Sequence, residues 1–363
     1  MNKIVFLKSV DRAIGKALVQ FLSRLKNRDS SKNEFKDLKR LLIIRPGGIG
    51  DAVLLLPAIK ALKKVYPEVL VDILCEKRNS GVFELTDYIN QIYLYDRGLD
   101  LLKVLKNRYE LVIDTEQWHR LSAVVASLTG SPVRIGFDTN ERGRLFTHRI
   151  PYSHDDYEVY SFFHLLRPLF SYIPEFNVDE PFIDIEDKES TLISVPSVAL
   201  FPGATIRERR WGGENYGIVA RGLIEKGFNV VILGSEIDRE DARKILEIAP
   251  HAVDLTGKTT LKNVALILKK CSLLICADSG LLHLAVGIGT PTLSLFGSGI
   301  EKKWAPRGKR HITLNKRLPC SPCTKFGYTP KCKKGIACLN SIYPDEVLEV
   351  AHRLLESGRR ILA

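Results

Sequence analysis

Three glycines and one carboxylate stand together where a buried strand gives way to a helix, in the segment Arg45-Pro46-Gly47-Gly48-Ile49-Gly50-Asp51. Glycines let a substrate approach the backbone and the free N–H groups at a helix N-terminus. A carboxylate placed there can take the proton from an attacking hydroxyl. The spacing fits neither a dinucleotide fingerprint nor a P-loop with its Lys-Ser/Thr ending. We predict that Asp51 is a general base, and the alternative is an acidic helix cap.

A second glycine turn, Phe201-Pro202-Gly203-Ala204-Thr205, leads into an arginine-rich segment that ends at Trp211. Its arginines are Arg207, Arg209 and Arg210. Guanidinium groups fork onto phosphate oxygens, and the hydroxyl of Thr205 adds another donor. The segment therefore predicts a diphosphate cradle, and the alternative is a solvated charged loop.

The third turn, Ala277-Asp278-Ser279-Gly280, again joins a strand to a helix. Asp278 and Ser279 can cap that helix and also face a ligand, while the backbone N–H groups of Ser279 and Gly280 point at an anion. His283 follows in the first helical turn. It is either part of the same ligand site or a structural histidine.

Alternating strands and helices must position these turns. Apolar runs predict strands at 41–44, 69–75, 91–95, 111–114 and 133–137, and again at 198–201, 229–233, 252–254, 273–276 and 292–295. Helical patterns separate them, so the fold class is α/β, with two doubly wound sheets in tandem. Ligands in such sheets sit outside the carboxyl ends of the strands, where all three turns lie.

The length of 363 residues predicts two domains. We expect an N-terminal helix and connector over residues 1–39, an acceptor-side domain over 40–190 and a nucleotide-sugar-binding domain over 191–363, with the linker at 187–196. Residues 3–28 form an amphipathic basic helix, which either packs on the protein or lies on an anionic membrane. Residues 29–36 predict a flexible connector.

The chain carries a formal net charge of +12, which favours phosphate-bearing partners. No apolar run approaches the roughly 20 residues that cross a bilayer, and no secretory signal is predicted. We expect a cytoplasmic protein. Basic residues are dispersed and no nucleic-acid-binding motif is present, so nucleic acid is not an expected partner.

Four of the seven cysteines fall close together, in a lysine-rich segment. They are Cys320, Cys323, Cys332 and Cys338. In a reducing compartment such spacing is typical of a structural zinc or iron–sulfur site, and the alternative is a loop of free thiols.

The three turns, in this order, resemble the ADP-heptose:lipopolysaccharide heptosyltransferase family, glycosyltransferase family nine. The resemblance covers about residues 41–355. It also includes Arg209-Arg210-Trp211, the segment from Asp278 to Ala285 and Leu295-Phe296-Gly297. It implies a GT-B fold, in which two Rossmann-like domains face a central cleft.

The resemblance also implies an inverting transfer, with Asp51 as the base and no cofactor required for catalysis. Thr205 and Arg209 match the family's phosphate-binding positions, although many relatives carry Lys in place of Arg209. Further donor contacts fall on Gly48, Asp278, Ser279, Gly280 and His283. An acidic residue, either Glu236 or Asp238, should hold the nucleoside ribose.

The sequence thus predicts a glycosyltransferase that moves a heptose-like sugar from a nucleotide-diphosphate donor, ADP-heptose by resemblance, to a lipopolysaccharide-core or other glycan acceptor. The acceptor side is expected to be shaped by residues 152–176. The basic N-terminal helix would hold the enzyme on the inner face of the cytoplasmic membrane. The alternative is a non-catalytic nucleotide- or nucleic-acid-binding protein.

Overall fold

The computed structural model describes residues 3–25, 35, 38–170, 172, 174–186, 193–194, 196–325 and 328–362, without the side chains of residues 3–8 and 358–362. The end of the predicted N-terminal helix, nearly all of the predicted connector at 29–36 and most of the predicted linker at 187–196 lie outside the described residues. The chain divides into two compact units, Met1–Phe176 and Asn177–Ala363.

The first unit holds a six-stranded parallel sheet. Its strands are β1 Arg40–Arg45, β2 Leu70–Cys75, β3 Gln91–Leu94, β4 Leu111–Asp114, β5 Val133–Phe137 and β6 His148–Ile150. Its helices are α1 Lys3–Leu25, α2 Ile49–Val65, α3 Lys77–Phe83, α4 Gly98–Lys106, α5 Arg120–Leu128 and α6 Glu158–His164. The central strands β1 and β4 are buried almost throughout, which explains their continuous apolar runs.

The second unit repeats this architecture with another six-stranded parallel sheet. Its strands are β7 Ser197–Phe201, β8 Asn229–Ile232, β9 Val253–Asp254, β10 Cys271–Ala277, β11 Thr292–Phe296 and β12 His311–Asn315. Its helices are α7 Gly213–Glu225, α8 Arg239–Ile248, α9 Leu261–Lys270, α10 Gly280–Ile288, α11 Glu301–Trp304, α12 Ala337–Asn340 and α13 Pro344–Leu362.

Both sheets have the same strand order. The first runs β3-β2-β1-β4-β5-β6, and the second runs β12-β11-β10-β7-β8-β9, which is the same order in reverse. The chain order therefore reverses between β1 and β4 in one sheet and between β7 and β10 in the other. Such a switch point opens a crevice at the carboxyl ends of the two strands. The predicted doubly wound α/β fold is confirmed, and two crevices are defined.

Helix α1 packs one face on the first unit. Val19 is fully buried in the core there, and Leu18 and Leu22 pack against that core. The carboxylate of Asp11, which is 5% exposed, accepts hydrogen bonds from the backbone N–H groups of Arg120 (2.6 Å) and Leu121 (2.8 Å), at the start of α5. The helix is thus anchored by apolar packing and by a cap on a second helix.

Candidate active site

The loop after β1 is held in shape by the buried side chain of Arg45. Its Nε donates to the carbonyl of Pro46 (2.7 Å) and its Nη1 to the carbonyl of Thr115 (2.9 Å). Gly47 has φ +118°, a conformation that favours glycine, and its N–H donates to Glu76 Oε1 at 3.2 Å. The loop after β1 is therefore fixed to the loop after β4.

Asp51 lies in the first turn of α2, where the N-cap is Gly48. Within this described helix, the N-cap makes no side-chain capping hydrogen bond. Tyr152 lies close enough to Asp51 to feel its charge. Burial, the charge of Glu158 and the charge of Asp51 all raise the pKa of the Tyr152 phenol. Asp51 thus lies at the carboxyl edge of the sheet, the edge at which ligands bind in folds of this class.

The loop after β4 forms the other wall of the first crevice. Gln117 Oε1 lies 3.3 Å from Arg45 Nη2, and Gln117 Nε2 donates to Glu158 Oε1 at 2.7 Å. The hydroxyl of Tyr152 donates to Glu158 Oε2 at 2.9 Å. Glu158, itself fully buried, therefore connects this wall to the aromatic segment that the sequence assigned to the acceptor side.

The carboxylate of Glu116 stabilises the same loop in its charged form. Burial opposes the charged form, yet the positive charges of Arg45 and His119 lower the pKa of Glu116 below its usual value. Its Oε1 accepts hydrogen bonds from the backbone N–H groups of Trp118 (3.0 Å) and His119 (3.3 Å).

The second crevice brings the other two predicted turns together. Arg209, on the turn after β7, places Nη1 3.0 Å from Asp278 Oδ2, on the turn after β10. The hydroxyl of Ser279 caps α10 by accepting from the N–H of Leu282 at 3.4 Å, so Ser279 fills its predicted capping position. Thr205 is exposed on the turn after β7.

Three polar atoms at this crevice are buried without a hydrogen-bond partner among the described residues, Arg209 Nε, Asp278 Oδ2 and His283 Nδ1. Burial lowers the pKa of His283 to about 4, so its ring is neutral at pH 7. A buried unsatisfied polar group costs about 1–3 kcal/mol. Such groups call for an explanation, and a bound polar ligand is one.

The structure separates the two acidic candidates after β8. Asp238 is 3% exposed and accepts from Ser235 N (2.9 Å), Ser235 Oγ (2.8 Å) and Arg210 Nη2 (2.7 Å). The Asp238 carboxylate is therefore already hydrogen-bonded to neighbouring residues of the protein. Glu236 is exposed and pairs only with the exposed Arg239 among the described residues.

A cavity of about 410 Å³ opens beside Glu236. It is lined by Leu255, Gly257, Lys258, Thr259, Thr260, Asn263 and Ile267. A Cβ at Gly257 would collide with the Glu236 carboxylate, which places that carboxylate at the cavity edge. A larger cavity of about 720 Å³ runs along β12 and contains none of the predicted site residues.

The metal site predicted at the four clustered cysteines stays a prediction. Among the described residues, no group of three or more His, Cys, Asp or Glu is placed to hold a metal ion. Cys338 belongs to the apolar core, with its sulfur against Gly297. The exposed Cys332 accepts N–H groups of its own loop, and Cys320 and Cys323 are half-buried free thiols. Cys338 lies within electrostatic range of Cys320, Cys323 and Cys332, and burial and these thiols raise its pKa.

The cysteine-bearing loop also contacts the turn after β7. The backbone N–H of Cys332 donates to Glu208 Oε1 at 3.1 Å, and Ser298 Oγ donates to the Glu208 carbonyl at 3.1 Å. Glu208 immediately precedes Arg209, so these contacts fix the backbone that carries the guanidinium.

A family model described as glycosyltransferase family 9 (heptosyltransferase) matches residues 99–334. The chain belongs to this family. Lipopolysaccharide heptosyltransferase 3 of Escherichia coli is 27% identical over 286 residues, which are 71% of this chain and 83% of that protein. This glycosyltransferase is thus an enzyme, and the alternative of a non-catalytic binding protein is set aside.

Two solved structures share its fold. The E. coli ADP-heptose lipopolysaccharide heptosyltransferase II has a TM-score of 0.73 at 21% identity, covering 88% of this glycosyltransferase and 99% of that chain. An iron-containing dodecameric glycosyltransferase from enterotoxigenic E. coli has a TM-score of 0.60 at 16% identity, covering 89% and 77%. In the glycosyltransferase described here, no helix of the described residues has the length and apolarity of a membrane span.

The sequence prediction missed the loop after β4. Polar and aromatic residues follow the buried strand there, Glu116-Gln117-Trp118-His119, and this pattern at the end of a central strand was the available signal. The prediction lacked the strand order, which alone shows that β4 is the neighbour of β1.

Proposed function

We propose that this glycosyltransferase moves a heptose or similar sugar from a nucleotide-diphosphate donor, ADP-heptose or a close analogue, to a lipopolysaccharide-core or other glycan acceptor, with inversion at the anomeric carbon. The observation that carries the proposal is the second crevice, where Arg209 Nε and His283 Nδ1 are buried and unpartnered beside Asp278. The choice of donor and acceptor is supported by the relatives, which include a lipopolysaccharide heptosyltransferase and an ADP-heptose lipopolysaccharide heptosyltransferase.

The donor nucleotide is assigned to the second unit. Arg209 and Thr205 bind the diphosphate, together with the backbone N–H groups of Ser279 and Gly280 at the start of α10. Glu236 binds the ribose, since its carboxylate lies at the cavity edge while that of Asp238 is occupied. The cavity beside it takes the base.

The chemistry is a single displacement. Asp51 accepts the proton of the acceptor hydroxyl as its oxygen forms the bond to the anomeric carbon, while Gly48 leaves room at the backbone for the sugar. The bond from that carbon to the diphosphate oxygen breaks, and the electron pair leaves with the nucleoside diphosphate. The charge of Arg209 stabilises this leaving group.

No cofactor is assigned a step in this mechanism. A structural zinc or iron–sulfur group, if bound, would be held by Cys320, Cys323, Cys332 and Cys338, and it would take no part in the transfer.

Replacement of Asp51 tests the mechanism. Asp51→Asn removes the base and keeps the shape, so we expect transfer to fall at least about a hundredfold, in line with typical general-base contributions. Binding of ADP-heptose, measured by calorimetry, should persist. Glu240→Gln is the matched control, because Glu240 is an exposed acid in the first turn of α8. Unchanged turnover of Asp51→Asn would show that the base lies elsewhere.

A membrane-bound acceptor requires the enzyme to work at a lipid surface. The outward face of α1 carries Ile14, Phe21 and Leu25, which are 49%, 61% and 64% exposed. The basic residues Arg12 and Arg24 are exposed on the same helix. Apolar side chains flanked by positive charge suit an anionic membrane. We propose that this face docks on the inner face of the cytoplasmic membrane, while the opposite face packs on the protein.

Vesicle sedimentation tests this docking. Phe21→Glu should abolish binding to vesicles that contain anionic lipid, because a carboxylate then enters the interface. Leu99→Glu is the control, since Leu99 is 76% exposed on α4. Equal binding by both variants would exclude α1 as the docking face.

A further inference from the structure

Trp118 lies on the wall of the first crevice that faces the Asp51 loop. The loop that carries it follows β4, and β4 is the direct neighbour of β1 at the point where the strand order reverses. Arg45 joins the two loops through the carbonyl of Thr115. Residues of both loops therefore border the same ligand-binding edge of the sheet.

The backbone around Trp118 is held on every side. Its N–H donates to Glu116 Oε1 (3.0 Å), its carbonyl accepts from Asn140 Nδ2 (2.9 Å), and the carbonyl of Gln117 accepts from Thr139 Oγ1 (2.5 Å). On the far side, Asp11 of α1 accepts the N–H of Arg120 at 2.6 Å. Few exposed loops are fixed by so many hydrogen bonds.

The indole on this rigid loop remains 40% exposed. Of the two tryptophans in the second unit, Trp211 is only 2% exposed and belongs to the core, and Trp304 is half-buried. A flat aromatic side chain that is fixed before binding loses little conformational entropy when a ligand stacks on it. Its apolar face suits the C–H face of a sugar ring.

We propose that Trp118 is the platform on which the acceptor's sugar ring stacks, with the attacking hydroxyl directed to Asp51. The inference rests on the proposed transferase function and deepens it, because it names a residue that selects the acceptor. Trp118 binds saccharide and not lipid, and Asp11 acts as a positioning residue through the loop.

Acceptor kinetics with two forms of one acceptor test the platform. The probes are lipopolysaccharide with a truncated core and the oligosaccharide released from it by deacylation. Trp118→Ala should raise the acceptor KM at least tenfold for both probes and leave the KM for ADP-heptose within twofold. Trp118→Phe keeps a ring and should recover most of the loss. Leu128→Ala, at an exposed apolar residue of α5, is the control.

Tryptophan fluorescence supplies a readout that does not depend on turnover. In the Asp51→Asn background, the deacylated oligosaccharide should quench the emission, and Trp118→Phe should abolish the quenching.

The outcomes separate the hypotheses. A KM increase confined to intact lipopolysaccharide would assign Trp118 to the lipid surface and overturn the platform. Unchanged KM values and unchanged quenching in Trp118→Phe would overturn it as well. Absence of transfer by the unmodified enzyme with both probes would instead refute the proposed function, and the platform with it.

Discussion

At the scale of single residues, Arg209 combines one charged partner with one buried N–H that has none among the described residues. Its guanidinium pairs with Asp278 at 3.0 Å, yet Nε stays buried without a partner among the described residues. An incoming diphosphate satisfies that N–H and adds a second charged contact. Charge-assisted hydrogen bonds to phosphate are the strong ones.

Substitutions at Arg209 should therefore act on the donor. Removing a hydrogen bond to a charged group costs roughly 1.5–3 kcal/mol, so Arg209→Ala should lower kcat/KM for the donor about tenfold to a hundredfold. Arg209→Lys keeps the charge, as in many family members, and should retain most activity. Arg207→Ala, at an exposed neighbour, serves as the control. Equal losses from the alanine substitutions at 207 and 209 would contradict the assignment of Arg209.

At the scale of elements, a residue of helix α1 caps helix α5. The sequence pattern of neither helix predicts this contact. Asp11 closes the N-terminus of α5 from outside, with two backbone N–H groups bonded to one carboxylate oxygen. The partners are more than a hundred residues apart in the chain. The amphipathic pattern of α1 predicted a helix with a buried face, but could not show that Asp11 belongs to that face.

Loss of this cap should weaken both stability and acceptor binding. Asp11→Ala should lower the free energy of unfolding by about 1 kcal/mol, the typical contribution of a capping side chain. The acceptor KM should rise, because the loop of Trp118 loses one of its supports. Lys16→Ala is the control, since it breaks only an exposed ion pair with Glu141, worth about 0–1 kcal/mol. Urea unfolding and acceptor kinetics measure the two effects, and an Asp11→Ala enzyme as stable as Lys16→Ala would argue against the cap.

The elements that the sequence predicted are those with strong periodicity. Ten strands were predicted from apolar runs, and each is present within one or two residues at its ends. The strands β6 and β12 were missed, and both are edge strands. His148-Arg149-Ile150 contains one apolar residue, and His311-Ile312-Thr313-Leu314-Asn315 alternates polar with apolar residues, because an edge strand needs no continuous apolar run. The local pattern was therefore too weak to identify them.

At the scale of the whole molecule, the same strand order occurs in both sheets, and we propose a different role for each: acceptor activation in the first and donor binding in the second. The switch point of the first sheet carries Asp51 and Trp118, and that of the second carries Arg209 and Asp278. Sequence could locate three of the four loops, because glycine turns mark them. The loop of Trp118 contains no glycine, and only the sheet order assigns it to a crevice.

Stability across the whole molecule should depend on two histidines, His283, which is buried, and His311, which is half-buried. Burial lowers the pKa values of His283 and His311 to about 4, from 6.5. The unfolded chain takes up these protons below pH 6.5, whereas the folded protein does so only near pH 4. The free energy of unfolding should therefore be unaffected by these groups above pH 6.5 and fall as the pH drops towards 4. At about 1.4 kcal/mol for each pKa unit, the upper bound is about 3 kcal/mol for each histidine.

Urea unfolding between pH 7.5 and 4.5 measures this dependence, and His311→Gln isolates one half of it. His311 Nδ1 lies 3.0 Å from Thr292 Oγ1, and a glutamine can keep a polar contact there without taking up a proton. The variant should lose stability less steeply than the unmodified protein below pH 6.5, with equal slopes above it. Parallel curves over the whole range would show that His311 is accessible to protons in the folded state. His283 would then be the only one of the two whose burial opposes acidification.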